Sequence, residues 1–206
     1  MQEKQEVIIF NGLAEQVSAH ITSISKKYVC VFVNSYLPGP PASSLHTHLG
    51  QVMSRGERMD YAIQKATELG VNEITPLFSN RCEVKLDAAR QAKRLTHWQQ
   101  IAISACEQSG RIDIPHIYPP TLLNDWLEHT QAQSKLVLHP HQTQPLASQD
   151  TPASCALLIG PEGGLTGWCW HGSPRACGPT SRRASRCWNV SGGSTAGIPG
   201  RTSWYT

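Results

Sequence analysis

The stretch LLIGPEGGLT, residues 157–166, has the composition of a ligand-binding turn. Its short apolar run predicts a buried strand, and the GPEGG that follows predicts a loop with almost no bulky side chains. In open α/β sheets, ligands bind beyond the carboxyl ends of the strands. Gly163 and Gly164 permit positive φ angles and a close approach of backbone amides to a ligand. The stretch lacks the spacing of a dinucleotide or phosphate loop, and an ordinary strand-to-helix turn is the alternative interpretation.

A second group of residues has the spacing of a phosphate-binding surface. Its members lie three or four positions apart on one face of a predicted helix: Arg90, Lys93, Arg94 and His97. Arg81 and Lys85 precede this helix, and Arg111 follows it. Such a stripe can track the phosphates of a nucleic acid, each contact adding salt-dependent affinity. The alternative is a solvated helix face with no partner.

The histidine pairs do not predict a metal site. His46 and His48 alternate along a predicted strand without a nearby cysteine or acidic partner, and His139 and His141 flank a proline in a loop. The three cysteines between residues 167 and 206 lack the C-x-x-C spacing of a zinc site. We therefore expect no bound metal.

Four stretches together resemble one family. LLIGPEGGLT is similar to the cofactor loop of the SPOUT superfamily of RNA methyltransferases. SRGERMDYAIQKATELGV (residues 54–71), NRCEVKLDAAR (80–90) and WQQIAISACEQSGR (98–111) narrow the resemblance to the 16S ribosomal RNA (uracil-N3)-methyltransferase family. The resemblance covers most of residues 7–166 in a consistent order.

The resemblance implies a cofactor, a fold and partners. Members of the family use S-adenosylmethionine, act on 16S rRNA of the small ribosomal subunit and work as homodimers. Their fold is an α/β parallel sheet of the SPOUT type with a C-terminal trefoil knot, preceded by a PUA-like β-barrel. The implied reaction moves a methyl group to N3 of a uridine, which depends on holding N3 in line with that group and on stabilising charge on the uracil oxygens.

The resemblance also assigns roles to residues. It implies a cofactor pocket lined by Leu138, His139, Leu158, Gly160, Pro161, Glu162, Gly163 and Gly164. It implies RNA contacts from Arg81, Lys85, Arg90, Lys93, Arg94 and Arg111, with Arg111 near the target nucleotide as the candidate catalytic residue. Two alternatives stay open: Glu162 can cap the next helix, and Glu107 can pair with Arg111.

These residues need two units to position them. Between Val7 and Val33, three short apolar runs with an Asn11-Gly12 turn predict an antiparallel meander, a partial barrel over residues 1–40. The proline-rich residues 37–44 predict a linker. Over residues 45–166, strands (LHTHLGQVM, NEITPLFS, KLVLHP, CALLIG) alternate with helices, which predicts a parallel sheet. One helix should begin with a Ser54–Glu57 capping box and end at Gly70, with an apolar stripe formed by Met59, Ala62, Ile63, Ala66 and Leu69. A long helix should span residues 87–108 and end at Gly110, with Leu95, Trp98, Ala102 and Ala105 facing inward. A short helix should span residues 122–128.

Residues 167–206 differ from the rest of the chain. They contain five Arg and no acidic residue, so the formal charge of +3 comes from this segment, and net charge gives no evidence about partners. They carry four of the six Trp without helical or strand periodicity. The second loop and helix that complete the knot and the dimer face in the family have no counterpart here. We expect an aberrant segment of low order and hypothesise a changed reading frame after Thr166; a native basic RNA-binding tail is the alternative.

The sequence therefore predicts a cytoplasmic protein whose family reaction is methylation of N3 of a uridine in 16S rRNA. The polar start of the chain and the lack of any apolar run of about 20 residues predict neither a secretory signal nor a membrane span. Because one wall of the cofactor site is unmatched, we expect impaired activity. The alternatives are a non-catalytic rRNA-binding remnant and a pseudogene product without function.

Overall fold

The computed structural model describes residues 2–41, 43–54, 56–79, 87–139, 152–161 and 189–192. The first unit is a three-stranded antiparallel sheet in the order β1-β2-β3, with β1 Glu6–Phe10, β2 Gln16–Ile24 and β3 Val29–Leu37. Gly12 turns the chain between β1 and β2 with a φ of 77°, and the Asn11 Oδ1 accepts a hydrogen bond from the Leu13 amide at 2.8 Å. The predicted meander is confirmed.

The second unit is a parallel sheet with helices on its two faces. Its strands are β4 His46–Val52, β5 Glu73–Phe78, β6 His116–Ile117, β7 Thr121–Leu122, β8 Ser134–His139, β9 Ser154–Ile159 and β10 Asn189–Gly192. Its helices are α1 Glu57–Glu68, α2 Ala88–Ser109 and α3 Leu123–His129. The strand order is β10-β8-β9-β4-β5-β6, β7 also pairs with β5, and every recorded pairing is parallel. The predicted alternation of strands and helices is confirmed.

Alternation along the strands divides the core between the two faces of the sheet. On β4, Leu49 packs in a cluster with Met59 and Ile63 of α1 and Trp98 of α2. The neighbouring cluster contains Val52 of β4, together with Leu77, Leu123, Trp126, Val137, Ala156 and Leu158. Helices α1 and α2 therefore cover one face, and α3 covers the other.

The long helix is the element that the sequence predicts best. The Asp87 carboxylate caps α2 by accepting from the Arg90 amide at 2.8 Å, and Gly110 ends it in the left-handed conformation with a φ of 71°. Trp98 and Ala102 are buried, as their spacing predicts. The cap, the apolar period and the terminal glycine are all local signals, so each can be recognised without the fold.

The beginning of α1 differs from the prediction. Its N-cap is Gly56, with a φ of 57° and no side-chain hydrogen bond, so the Ser54–Glu57 capping box is wrong. Leu69 is the C-cap residue and its side chain is 87% exposed, so its predicted place on the buried face is wrong as well. The helix ends one residue too early for Leu69 to follow the apolar stripe, and Gly70, with a φ of 95°, turns the chain away.

The structure corrects one part of the prediction for residues 167–206. Asn189–Gly192 form β10, which pairs in parallel with β8 from Leu136 to His139, although no strand period marks this stretch. The rest of this segment lies outside the described residues, as does the region on which a trefoil knot depends. No helix in the described part of the chain has the length and apolar character that crossing a membrane requires.

Candidate functional site

Those predicted cofactor residues that the structure describes lie near the carboxyl ends of two neighbouring strands of the parallel sheet. The register places Leu138 of β8 and Gln51 of β4 on either side of Ile159 of β9. His139 therefore ends β8 beside the point where Gly160 leaves β9, and neighbouring strands lie about 4.8 Å apart. The carboxyl ends of three strands meet here, as expected for a ligand site in an open sheet.

The predicted cofactor residues differ in how far they are exposed at this end of the sheet. Gly160 and Pro161 are partly exposed, and so is Leu138. The Leu158 side chain is fully buried in the core beside Val137 and Ala156, so only its backbone can contribute to a pocket. Glu162, Gly163 and Gly164 lie outside the described residues. A cofactor role for all of these positions stays a prediction.

Two polar residues at this edge were missed in the sequence. Gln51 is 6% exposed and its Nε2 donates to the Val52 carbonyl oxygen at 2.9 Å. Ser79 follows β5, and its hydroxyl is buried without a hydrogen-bond partner in the described part of the chain. Leaving such a hydroxyl unsatisfied costs about 1–3 kcal/mol. Polar residues at the ends of apolar strands, as in HLGQVM and ITPLFS, were the available signal.

His48 belongs to a buried polar cluster rather than to an isolated strand position. Its Nδ1 lies 3.3 Å from Glu73 Oε2, and its Nε2 accepts from the Trp126 indole Nε1 at 3.2 Å. Burial lowers the pKa of His48, and the nearby Glu73 carboxylate opposes that effect. The ring is therefore neutral, with its proton on Nδ1 facing Glu73.

The expectation that His46 and His48 lack an acidic partner is wrong. Glu73 comes from the neighbouring strand, which sequence spacing cannot reveal, and His46 Nε2 also lies 3.9 Å from its Oε1. Within the described residues, no group of three or more His, Cys, Asp or Glu side chains is arranged to hold a metal ion.

The basic stripe lies on an exposed face of α2. Lys93 is exposed, Arg94 is partly exposed, and the exposed Arg90 guanidinium lies 3.4 Å from Asp87. His97 differs, because its Nε2 lies 3.0 Å from Asp60 Oδ2 of α1. Within the described residues, the first two turns of α2 therefore carry solvent-accessible cationic side chains, whereas Arg81 and Lys85 lie outside the described residues. RNA binding by this stripe stays a prediction.

Arg111 lies at the opposite edge of the sheet from the loop after β9. Its guanidinium donates to both carboxylate oxygens of Asp113, at 3.1 and 2.6 Å, and to the Thr67 carbonyl oxygen at 2.9 Å. Thr67 is in the last turn of α1, and Asp113 precedes β6, so both mark the amino-terminal edge of the strands. Because a six-residue strand such as β9 spans about 17–20 Å, Arg111 is separated from the carboxyl ends of the strands by about that length.

This position answers the open alternative about the partner of Arg111. Its partner is Asp113, not Glu107, and only 11% of its side chain is exposed. Its donors serve contacts within the chain, far from the carboxyl edge of the same sheet. A catalytic role for Arg111 stays a prediction that this geometry does not support.

A groove between α1 and α2 is separate from the predicted cofactor residues. Its volume is about 500 Å³, and it is lined by Glu57, Arg58, Asp60, Tyr61, Gln64 and Ile101. The lining carries charges of both signs and includes none of the residues that end β8 or β9. Nothing in the groove selects a particular ligand.

The chain is similar to known proteins over most of its length. Residues 41–167 match the family model of an RNA methyltransferase domain. The ribosomal RNA small subunit methyltransferase E of Buchnera aphidicola subsp. Schizaphis graminum is 36% identical over 168 residues, which are 81% of this chain and 68% of that protein. The enzyme of the same name from Buchnera aphidicola subsp. Acyrthosiphon pisum is also 36% identical, over 159 residues that are 76% of this chain and 63% of that protein. The chain thus spans about two thirds of these relatives.

Two solved structures share the fold. One is a methyltransferase from Legionella pneumophila in complex with SAM, with a TM-score of 0.77, 39% identity and coverage of 82% of this chain and 70% of that chain. The other is the ribosomal RNA small subunit methyltransferase E from Neisseria gonorrhoeae bound to S-adenosyl methionine, with a TM-score of 0.76, 34% identity and the same coverage. The predicted SPOUT-type α/β fold, preceded by barrel-like antiparallel strands, is confirmed. The chain belongs to the RNA methyltransferase family, as a relative of ribosomal RNA small subunit methyltransferase E.

Proposed function

We propose that the chain derives from an enzyme that methylates N3 of a uridine in 16S rRNA with S-adenosylmethionine, and that it retains one wall of the cofactor site. The observation that carries the proposal is that the carboxyl ends of β8, β9 and β4 lie side by side where GPEGG begins. The family match covers the same segment. The two solved relatives were both determined with this cofactor bound.

The described residues at this edge fit an adenosine-containing ligand. Leu138 and Pro161 offer apolar surface, and Gly160 has no side chain to obstruct an approach to the backbone. Backbone donors and acceptors at strand ends can supply directional contacts to a ligand. Bound there, S-adenosylmethionine would supply an electrophilic methyl group. The residues of the chain would exclude water and orient the ligand, together with the predicted Glu162, Gly163 and Gly164.

RNA binding is assigned to two parts of the chain. Arg90, Lys93 and Arg94 present positive charge on α2, and residues 1–40 form the barrel-like unit that we propose contacts RNA as a partial PUA-like domain. His97, at the C-terminal end of the stripe, is not assigned an RNA contact, because its side chain is paired with Asp60. We propose a cytoplasmic protein whose family arrangement is a homodimer, with the helix of the dimer face lost from residues 167–206 of this chain.

Methyl transfer by this chain is expected to be slow. Residues 167–206 offer no counterpart of the family's second loop, so only one side of the pocket is matched. The purified chain should bind S-adenosylmethionine weakly in calorimetry and transfer little tritiated methyl to unmethylated small subunits. Transfer at a rate close to that of a full-length relative would refute the impairment, and an absence of cofactor binding would refute the retained wall.

A matched pair of glycine variants tests the position of the cofactor. Gly163→Ala adds one methyl group in the predicted loop and should weaken S-adenosylmethionine binding at least about tenfold, because backbone approach is lost. Gly70→Ala adds the same group at the other edge, where the φ is 95° and no atom lies within 4 Å. The control should affect stability but not cofactor affinity. Equal losses of cofactor affinity in both variants would contradict the site.

A second candidate function is RNA binding without catalysis. It is favoured by the exposed cationic side chains of α2 together with the unmatched second wall. Filter binding of 16S rRNA with and without S-adenosylmethionine separates the two. Tight binding without any cofactor effect and without methyl transfer supports the binding protein, whereas a cofactor-dependent product supports the enzyme.

A further inference from the structure

The segment from Arg111 to Ile114 joins the two units of the protein. The Ala14 amide donates to the Ile112 carbonyl oxygen at 3.3 Å, and the Ile114 amide donates to the Gly12 carbonyl oxygen at 3.1 Å. Asp113 also forms isolated β-bridges with the same turn of the N-terminal sheet. The backbone of this segment therefore acts as a short strand on which the first unit rests.

Side-chain packing fixes the same joint. A Cβ built on Gly12 would lie 2.6 Å from Ile114 Cδ1, and one built on Gly39 would lie 2.7 Å from Ile112 Cδ1. Both glycines belong to the N-terminal unit or its exit, and both isoleucines belong to the segment. An added methyl group at either glycine would meet the end of an isoleucine side chain, so the two units are in close contact here.

Arg111 and Asp113 hold this segment to the helices of the α/β unit. The planar guanidinium meets both carboxylate oxygens of Asp113 and also reaches the Thr67 carbonyl oxygen in the last turn of α1. The Arg111 amide donates to the Cys106 carbonyl oxygen of α2 at 3.1 Å. The hydrogen bond from Arg111 keeps the pKa of Asp113 below its usual value, so the pair is ionised at neutral pH.

We propose that the Arg111–Asp113 pair is a clasp that fixes the N-terminal sheet against the α/β unit, and that Arg111 is a positioning residue for RNA rather than a direct contact. The inference rests on the proposed RNA-binding function. Two RNA-binding surfaces held at a fixed separation bind one RNA more tightly than the same surfaces connected loosely, because less freedom is lost when the second surface binds and its effective concentration is higher. Loss of the Arg111–Asp113 pair is expected to weaken RNA binding and to leave the affinity for S-adenosylmethionine unchanged.

Removal of Asp113 distinguishes a clasp from a direct phosphate contact. Asp113→Ala deletes a negative charge and frees the Arg111 guanidinium, so a direct contact predicts RNA binding as tight as wild type or tighter. The clasp predicts a loss, on the order of tenfold, in the same direction as Arg111→Ala. Asp125→Ala is the matched control, since it deletes the same charge from an exposed position on α3 and leaves the joint intact.

The experiment measures binding of 16S rRNA to the full chain and its variants at one salt concentration, with calorimetry of S-adenosylmethionine in parallel. We expect Arg111→Ala, Asp113→Ala and the double variant to lose RNA affinity to a similar extent, and to keep the cofactor affinity of wild type. Asp113→Asn, which keeps one carbonyl acceptor, should lose less. Undiminished RNA binding by Asp113→Ala, or additive losses in the double variant, would overturn the clasp.

Hydrogen exchange supplies a readout that does not depend on RNA. In both alanine variants the Ala14 and Ile114 amides should exchange faster, while amides in the middle of β9 should not change. Unchanged protection of Ala14 and Ile114 would overturn the clasp even where RNA affinity falls. If wild type does not bind RNA, the proposed function fails, and exchange at these two amides alone decides whether the clasp exists.

Discussion

Replacing Gly50 by alanine is expected to destabilise the protein by about 2 kcal/mol through one contact. A Cβ at this position would lie 2.5 Å from Cη2 of Trp126, and 2.6 and 2.7 Å from two further atoms of the ring. Trp126 is 5% exposed in the core and donates to His48, so it cannot move without losing packing or that bond.

The magnitude follows from three contributions. Overpacking a core costs about 1–3 kcal/mol, and a weakened Trp126–His48 hydrogen bond adds about 1 kcal/mol. Restricting the unfolded chain returns about 0.4–1 kcal/mol. The free energy of unfolding from urea titration should therefore fall by about 2 kcal/mol, the middle of the range that these figures span.

A double-mutant cycle identifies the ring as the cause. In a Trp126→Phe background the shorter ring withdraws from the contact, and Gly50→Ala should then cost less than about 1 kcal/mol. Gly56→Ala is the control, because Gly56 has a φ of 57° with no atom within 4 Å, so its cost is backbone strain of about 1–3 kcal/mol. The control's cost should be the same in both backgrounds. An equal cost of Gly50→Ala in both backgrounds would refute the reasoning.

Three further predictions concern single sites. Asp87→Ala removes the cap of α2 and should lower the free energy of unfolding by about 1 kcal/mol in urea titration, whereas Asp87→Asn should change it little. Burial lowers the pKa of His48, so its neutral form contributes stability that is present above pH ~6.5 and is lost as the pH falls through the folded pKa. Between pH 7.5 and pH 5.5, the free energy of unfolding should therefore fall more for wild type than for His48→Gln. An equal fall in both proteins would contradict this. Burial raises the pKa of the Cys106 and Cys155 thiols, whereas Cys30 is exposed; peptide mapping after brief alkylation of the native protein should find Cys30 modified and the other two protected, and early labelling of Cys106 would contradict the burial.

The local parts of the fold were predictable from the sequence because their signals are local. Asp87, the apolar period and Gly110 define α2 without reference to any other element. Gly56 could not be recognised in this way, because a glycine cap acts through its φ angle and leaves no side-chain pattern. Leu69 failed for a related reason, since the period continues in the sequence one residue beyond the helix.

The positions of the candidate site at the ends of strands were predictable from the sequence. The side-chain pairs between residues of different strands or turns were not. The convergence of Leu138 and Gly160 follows from two apolar strands, each ending in a recognisable turn. The pairing of Glu73 with His48 and of Arg111 with Asp113 depends on strand order and on chain turns, which no spacing in the sequence specifies. The four residues of β10 likewise gain their strand conformation by pairing with β8, not from a period of their own.

The position of β9 governs the order in which the sheet can assemble. β9 lies between β4 and β8, so these two strands have no direct pairing and are connected only through residues 154–159. Translation produces β4, β5 and β8 first, and one edge of β4 then waits unpaired for a strand encoded far downstream. Pairing between strands that are distant in the sequence slows folding. Until β9 is made, the unpaired N–H and C=O groups along that edge of β4 can pair with other chains. Nascent chains of this protein are therefore most exposed to misassembly during the interval between the synthesis of β4 and that of β9.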